Sequence, residues 1–546
     1  MIVLGVNATF HDSSAALVVD GRVVAAAEEE RFSRRKHAKR PVPFSAWELP
    51  ELSMRWCLEE AGITAADLDA VGYAFDPELA ALQPDDPFDS VRIDYVRRAP
   101  EFLAESLPGL DPDRVRFVEH HVAHAASAAL AGPHRTCAVL VNDGRGERHS
   151  QLAGHYRDGE LEICHRQDLP DSLGLYYESL TEHLGFLRSS DEFKVMALAS
   201  YGEPRFLPEL RESLHANPDG GFTARAPEWE RFAPRRVDDG TWGGVHADLA
   251  ASVQAGVEEV LVANAEWLHR QTGETVLTMA GGTALNCVAN TRIWRDGPFD
   301  EVWVQPASGD SGTALGAALH LAREQDELAP GAVDPAAGRG WDDDELAQWL
   351  TAARVPFTTP DDLVGEVADL LADDGVIAWF DGRSEFGPRA LGRRSLLANP
   401  TRAANVERLN DVKGREQFRP VAPMILAERA ADIVTDGPLP SPYMLFVHTV
   451  RPEWRDRLPA VVHTDGTARV QTVSDADTPR VADLLRAFEA RTGVPVLVNT
   501  SLNTAGRPMV DDPRDALELF GSAPVAALVL GPHLVRRADF VVGGDA

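Results

Sequence analysis

Short apolar runs, each closed by a polar loop, recur along the chain and predict its elements. Ile2–Val6 reads as a strand, the loop Asn7–Ser14 follows, and Ala15–Val19 and Arg22–Ala27 read as two further strands joined at Asp20-Gly21. The same order returns later. Cys137–Asn142 is an apolar run, Asp143-Gly144-Arg145-Gly146-Glu147 a polar loop, Gln151–Tyr156 a strand, Asp158-Gly159 a turn and Glu160–His165 the return strand. Arg116–Val118 reads as the end of a short strand, and a helix of small residues follows from His120. Ser53–Gly62 is also helical. Asp248–Thr272 predicts a long amphipathic helix, with Leu249, Val253, Val257, Val260, Leu261 and Ala265 on one stripe. Val276–Ala280 is a strand that runs into Gly281-Gly282, and Val302–Gln305 precedes a Gly/Ser loop and a small-residue helix through Ala322.

Two strand–loop–strand–turn–strand units, each followed by helical sequence, predict an internal duplication. Duplicated units of this kind, with loops turned toward phosphates, mark the actin/Hsp70/sugar-kinase architecture, an α/β fold. Glu324–Gly340, broken by Pro330-Gly331, Pro335 and Gly338, reads as a linker, which places a domain boundary near residue 333 and gives domains 1–333 and 334–546. The second domain opens with a helix at Asp344–Ala352 and carries strands at Val376–Phe380, Val494–Val498 and Ala526–Leu530.

Composition narrows the function classes. A length of 546 residues exceeds one core. The first residues, MIVLGVNATF, read as a strand and not as a signal peptide, and no apolar run reaches membrane-spanning length, so a soluble cytoplasmic protein without membrane partners is expected. The four cysteines form no CxxC, which argues against a disulfide framework and a zinc knuckle. A net charge of −32 opposes nucleic-acid binding, because phosphate neutralisation needs basic stripes. Only Lys36, Lys39, Lys194 and Lys413 are lysines, so arginine supplies nearly all the positive charge.

His120 and His124 are four apart, so on a helix their imidazoles share a face and make half a metal site. The alternative is a pair of histidines solvating a helix start. Asp143 follows an apolar strand directly, and Asp310 sits at a helix start, where it would serve equally as a cap. Two His and two Asp suit Fe(II), Mn(II) or Zn(II). Gly281-Gly282 opens a helix after a buried strand, which lets a nucleotide approach the backbone or simply makes a tight turn. In the second domain, the run Glu385–Ser395, the run Lys413–Pro420, Arg469 and Asn499–Asn503 interrupt apolar segments with Arg, Gly, Asn and Ser, and read as a pocket for phosphates.

The motifs FHDSSAAL, EEERFSRRKH, HHVAHAASA, NDGRGE, FKVMALASYG, AGGTALN, GDSGTALGAA, EFGPRALGRRSLL, VKGREQFRP and LVNTSLN, in this order, resemble the O-carbamoyltransferases of antibiotic and nodulation-factor biosynthesis. The resemblance implies an N-terminal domain like the universal tRNA threonylcarbamoyl-transfer protein, of the actin/Hsp70 class, and a YrdC-like C-terminal domain. It implies that His120, His124, Asp143 and Asp310 hold Fe(II) or another divalent transition metal, and that His11 is the general base. It implies that Lys36, Gly282, Asn286 and Ser501 contact ATP or carbamoyl adenylate, and that Arg389, Arg419, Arg469 and Asn499 hold carbamoyl phosphate. Carbamoyl phosphate and ATP, with Mg2+, would give carbamoyl adenylate, which a hydroxylated small-molecule acceptor then attacks. The loop before His11 is shorter than in the aminoglycoside enzymes of the family, which leaves the acceptor open. The oligomeric state stays open between monomer and homodimer.

Two rivals follow from the same fold. Carbamoyl transfer in hydrogenase maturation uses zinc-finger cysteines and an acylphosphatase module, and neither motif occurs here. A nucleotide-switched binding protein of the Hsp70 type has no need of an arginine-rich second domain. A tRNA-modifying role is disfavoured by the net charge of −32.

Overall fold

In the computed structural model, residues 1–38, 48–81, 89–236, 243–324, 328 and 331–540 are described. Lys39 and part of the expected linker lie outside them. The chain divides into two compact units, Met1–Pro335 and Ala336–Ala546.

The duplication appears strand for strand in the first unit. One sheet is built from β1 (Ile2–Asn7), β2 (Ser14–Val19), β3 (Arg22–Glu28), β4 (Ala70–Tyr73) and β5 (Val115–Phe117), in the order β3-β2-β1-β4-β5. The other is built from β6 (Cys137–Asn142), β7 (His149–Arg157), β8 (Glu160–Asp168), β11 (Val276–Ala280) and β12 (Glu301–Val304), in the order β8-β7-β6-β11-β12. In each sheet the first three strands form an antiparallel meander, and the last two run parallel to the first. A small hairpin of β9 (Leu214–Ala216) and β10 (Phe222–Ala224) lies between them in sequence. Both meanders turn at Asp-Gly pairs with positive φ at both residues, 48° and 72° at Asp20-Gly21 and 52° and 84° at Asp158-Gly159. That is the two-residue turn that matches strand twist.

Each sheet lends its last helix to the other. The helix His120–Ala129 follows β5 yet packs on β6, β7 and β11, while the helix Ser311–Arg323 follows β12 yet packs on β1, β2 and β4. The two helices also pack on each other. Small residues make this approach close. A Cβ at Gly5 would run into the Ala314 carbonyl oxygen, and one at Gly316 into the Ala123 carbonyl oxygen. This explains the string of Ala, Ser and Gly in both helices.

The second unit is a mixed sheet of seven strands: β13 (Ile377–Phe380), β14 (Arg394–Ala398), β15 (Ala422–Leu426), β19 (Gln471–Val473), β20 (Val496–Ser501), β21 (Ala527–Leu530) and β22 (His533–Arg536). Their order is β19-β15-β20-β14-β13-β21-β22. A separate three-stranded sheet joins β16 (Val434–Thr435), β17 (His448–Val450) and β18 (Thr467–Ala468). Trp379, Leu396, Leu397, Val498 and Leu528 are wholly buried in its core, with Leu371 and Phe488 from the covering helices Leu363–Ala372 and Pro479–Thr492. The chain is therefore α/β throughout, with a duplicated actin/Hsp70/sugar-kinase-like first unit.

Candidate active site

The first constellation forms where the two exchanged helices begin. His120 is the first residue of its helix, and its N–H donates to Glu147 Oε1 at 2.8 Å. Glu119, just before it, turns its carboxylate to Arg166 instead, at 2.7 and 3.1 Å. His120 and His124, one turn apart, face Asp143 at the end of β6 and Asp310 at the start of the Ser311–Arg323 helix. His120 Nε2 lies 3.4 Å from Asp143 Oδ2 and 3.7 Å from Asp310 Oδ1, and His124 Nε2 lies 3.9 and 3.6 Å from the same atoms. Asp310 makes no side-chain cap bond, so the capping alternative is not realised. Asp143 Oδ1 accepts the Gly282 N–H at 2.8 Å, which leaves Oδ2 turned to the histidines.

These four residues fit a divalent cation. Donors around a four-coordinate ion with bonds of ~2.1 Å stand ~3.4 Å apart, close to the observed spacing. The Nε2 atoms of His120 and His124 are buried and make no hydrogen bond among the described residues, which is costly for lone pairs with nothing to bind. His120 Nδ1 approaches the Ala74 carbonyl at 3.2 Å, an outer contact that keeps its proton on Nδ1 and its lone pair on Nε2. Two carboxylates balance a 2+ charge in a buried setting. Burial works against a charged His120, but Asp143 and Asp310 outweigh it and push the imidazole up to about 9. Burial also raises Asp143, yet His120, His124 and His121 hold it well below the carboxylate range. A quartet with this appetite for a proton offers the same lone pairs to a metal. His121, which the sequence reading passed over, lies in the same place, with Nε2 4.0 Å from Asp143 Oδ2. Burial, and then His120, lowers its pKa well below the usual value.

The second cluster joins His11, Asp12 and His37. Asp12 Oδ2 is 2.6 Å from His11 Nδ1, and Oδ1 is 2.7 Å from His37 Nδ1. Phe10 connects this loop to the quartet, its ring 5.6 Å from that of His120. Lys36 is exposed on the short turn Lys36–Ala38. Gly282 lies against Asp143, as above. Asn286 caps the helix Cys287–Asp296 through the Ala289 N–H at 3.1 Å and exchanges amide hydrogen bonds with Gln254 at 2.9 and 3.1 Å.

The third cluster is in the second unit. Glu385, buried, accepts the backbone N–H groups of Leu391, Arg393 and Arg394 at 2.6–3.2 Å and so folds the Arg/Gly run into a tight loop. Arg394 is wholly buried, donates to the carbonyls of Asp381, Gly382 and Arg339, and stacks 3.6 Å from the Phe380 ring. It is a strut. Arg389 sits on the same loop, which Asn499 and Gln471 fasten to β20 and β19. Asn499 Nδ2 donates to the Ala390 carbonyl at 3.0 Å and to Gln471 Oε1 at 2.7 Å, and Gln471 donates to the Leu391 carbonyl at 2.9 Å. Arg419 and Arg469 both act electrostatically on Arg415. Burial, then Arg419 and Arg469, lowers the Arg415 guanidinium to about 9. Three half-buried guanidinium groups, against the carboxylate of Glu416 at 3.5 Å from Arg419, leave a positive balance that suits an anion. In the sequence Arg415 carries no signal of its own beyond its place in the run Lys413–Pro420. Lys413 donates to the Ser501 carbonyl at 2.6 Å, to Ser501 Oγ at 2.9 Å and to Asn503 Oδ1, which ties Ser501 to the same region.

Known proteins resemble this chain along most of its length. The family model described as Carbamoyltransferase N-terminus matches residues 2–111 and 108–319, and Carbamoyltransferase C-terminus matches 368–537. An uncharacterized protein of Synechocystis is 34% identical over 98% of this chain and 96% of its own length. Nodulation protein NolNO of Sinorhizobium fredii is 37% identical over 97% of this chain and 80% of its own. Among solved structures, HypF of T. kodakarensis covers 60% of this chain and 48% of its own at 15% identity and a TM-score of 0.34. A ROK family glucokinase from Streptomyces griseus covers 59% and 100% at 15% identity and a TM-score of 0.29. With both family models matched in order along one chain, and relatives of 34% and 37% identity aligned over 98% and 97% of it, the chain belongs to the carbamoyltransferase family and is a carbamoyltransferase.

Proposed function

We propose that this carbamoyltransferase is ATP-dependent and acts on oxygen. It makes carbamoyl adenylate from carbamoyl phosphate and ATP, with Mg2+, and passes the carbamoyl group to a hydroxyl of a sugar-containing natural product. The observation that carries the reading is the presence, in one chain, of a half-buried arginine group and a buried His/Asp quartet. Arg389, Arg419, Arg469 and Asn499 bind the carbamoyl phosphate, with Arg415 adding charge to the same anion site. Ser501, Lys36, Gly282 and Asn286 are assigned to the nucleotide. The hydrogen bonds of Asn286 with Gln254 and Ala289 make it the least available of these. His120, His124, Asp143 and Asp310 would hold Fe(II) or another divalent transition metal, which supplies Lewis acidity to the carbamoyl carbonyl or the leaving phosphate. His11 takes the proton of the acceptor hydroxyl as the carbon–oxygen bond forms, and AMP leaves with the electron pair of the bond that breaks.

The test is to incubate the full-length protein with carbamoyl phosphate, ATP and a panel of hydroxylated natural products, and to read product masses. A carbamoyl adduct that requires both co-substrates, with AMP and pyrophosphate released, is expected. Transfer to oxygen without ATP would remove the adenylate step, and an adduct on a thiol or on tRNA would replace the acceptor class.

A further inference from the structure

The His11 loop is held in an unusual way. Phe10, Asp12 and His37 all have left-handed backbone, with φ of 61°, 46° and 60°. Residues other than glycine stay there only where surrounding contacts over-determine them. Those contacts are present. Asn7 Nδ2 donates to the carbonyls of His11 at 2.8 Å and Asp12 at 3.1 Å, and the His37 N–H donates to Glu30 Oε2 at 2.8 Å. The result sets one carboxylate between two imidazoles from separate segments, with His37 reaching Ser190 Oγ at 2.9 Å.

The hydrogen bonds fix the protons. Burial works to raise the Asp12 carboxyl, but His11 and His37 outweigh it and hold it well below the usual range, so it is ionised and only accepts. Each imidazole therefore presents Nδ1–H to it, and in its neutral form has its lone pair on Nε2. Ser190 Oγ lies 2.9 Å from His37 Nε2 and can donate its hydroxyl to that lone pair.

We infer that Asp12 is the positioning residue that makes His11 a base, and that His37, in contact with Ser190, shares its carboxylate as a second client. The inference rests on the reading of His11 as general base. In the transfer step the acceptor oxygen bonds to the carbamoyl carbon, the carbon–oxygen bond to AMP breaks toward AMP, and the acceptor proton moves to His11 Nε2. The imidazolium so formed keeps Nδ1–H on Asp12 Oδ2, whose charge offsets it, and later releases the proton to water. Glu192 is a further acid whose charge interacts with that of His11.

The chemistry of an amide makes a sharp test. Asparagine tolerates left-handed backbone, so Asp12→Asn keeps the loop, but it offers one acceptor oxygen where two imidazoles need one each. His37, in contact with Ser190, keeps that oxygen, and His11 must turn its lone pair to the amide N–H and carry its proton on Nε2. Full-length protein labelled with 15N-histidine reads the protonated nitrogen directly, with His11→Asn assigning the signal. The expected results are Nδ1–H at His11 in wild type, Nε2–H in Asp12→Asn, and a return to Nδ1–H in the double variant Asp12→Asn with His37→Asn. Carbamoyl transfer in Asp12→Asn should fall at least about tenfold, with the pyrophosphate released in the first turnover unchanged. Nε2–H at His11 in the wild type overturns the inference whatever the variants do. An unchanged tautomer in Asp12→Asn, or no return in the double variant, also overturns it. Failure of the base reading looks different: His11→Asn would transfer at the wild-type rate while the tautomers still followed Asp12.

Discussion

At the scale of single residues, the quartet is where loss is most legible. Replacing His120 and His124 together by alanine removes both nitrogen donors and leaves Asp143 and Asp310 facing each other without a cation between them. Elemental analysis of the purified full-length variant should find its divalent metal lost, and retention at the wild-type ratio would take these residues out of the site. Part of this set could be read from sequence because helical spacing is local: two histidines four apart announce a shared face. Asp143 and Asp310 were visible only as acids at loop positions, and their approach to within 3.4–3.9 Å of the imidazoles depends on both sheets. His37 and Arg415 gave no separate signal. His37 lies in a run of basic residues, and its meaning comes from Asp12, far away in sequence. Arg415 is one arginine among many until burial lowers its pKa to about 9.

At the scale of elements, the small residues of the two exchanged helices set the geometry of the quartet. Ala123, between the two histidines, is where a Cβ on Gly316 would strike. Inside a helix, Gly→Ala ordinarily stabilises by up to about 1 kcal/mol through propensity, but forcing backbone apart in a packed interior costs about 1–3 kcal/mol. The clash here is with a carbonyl, which cannot swing aside, so the cost wins. Gly316→Ala should lower the urea midpoint and weaken metal retention together. A rise in stability with full metal content would show that the helices have slack. The strand–turn–strand repeats were readable because Asp-Gly and alternation are local signals. The exchange of helices between sheets was not, since nothing in an Ala-rich stretch says which sheet it covers.

At the scale of the molecule, the proposed function gives the two units separate chemistry, and their losses should then separate too. Arg389→Ala alters the second unit alone. It should abolish pyrophosphate release that depends on carbamoyl phosphate, while the metal content of the first unit and transfer from supplied carbamoyl adenylate persist. If supplied adenylate does not restore transfer, the division of labour is wrong. The net charge of −32 belongs to this scale as well, since it says nothing about either site and speaks only to which polymers the surface turns away. The exchange of helices has a further consequence, for the order of synthesis. The strands β1 and β2 leave the ribosome early, but the helix that covers them, Ser311–Arg323, is made only after both sheets are complete. A nascent chain therefore carries an apolar sheet face bare through most of its translation, a state prone to association with other chains. The closing contact joins the beginning of the first unit to its end, which is the slow kind of contact to form. Asp310 arrives with that closure, so the quartet is complete only in a chain whose first unit has finished folding.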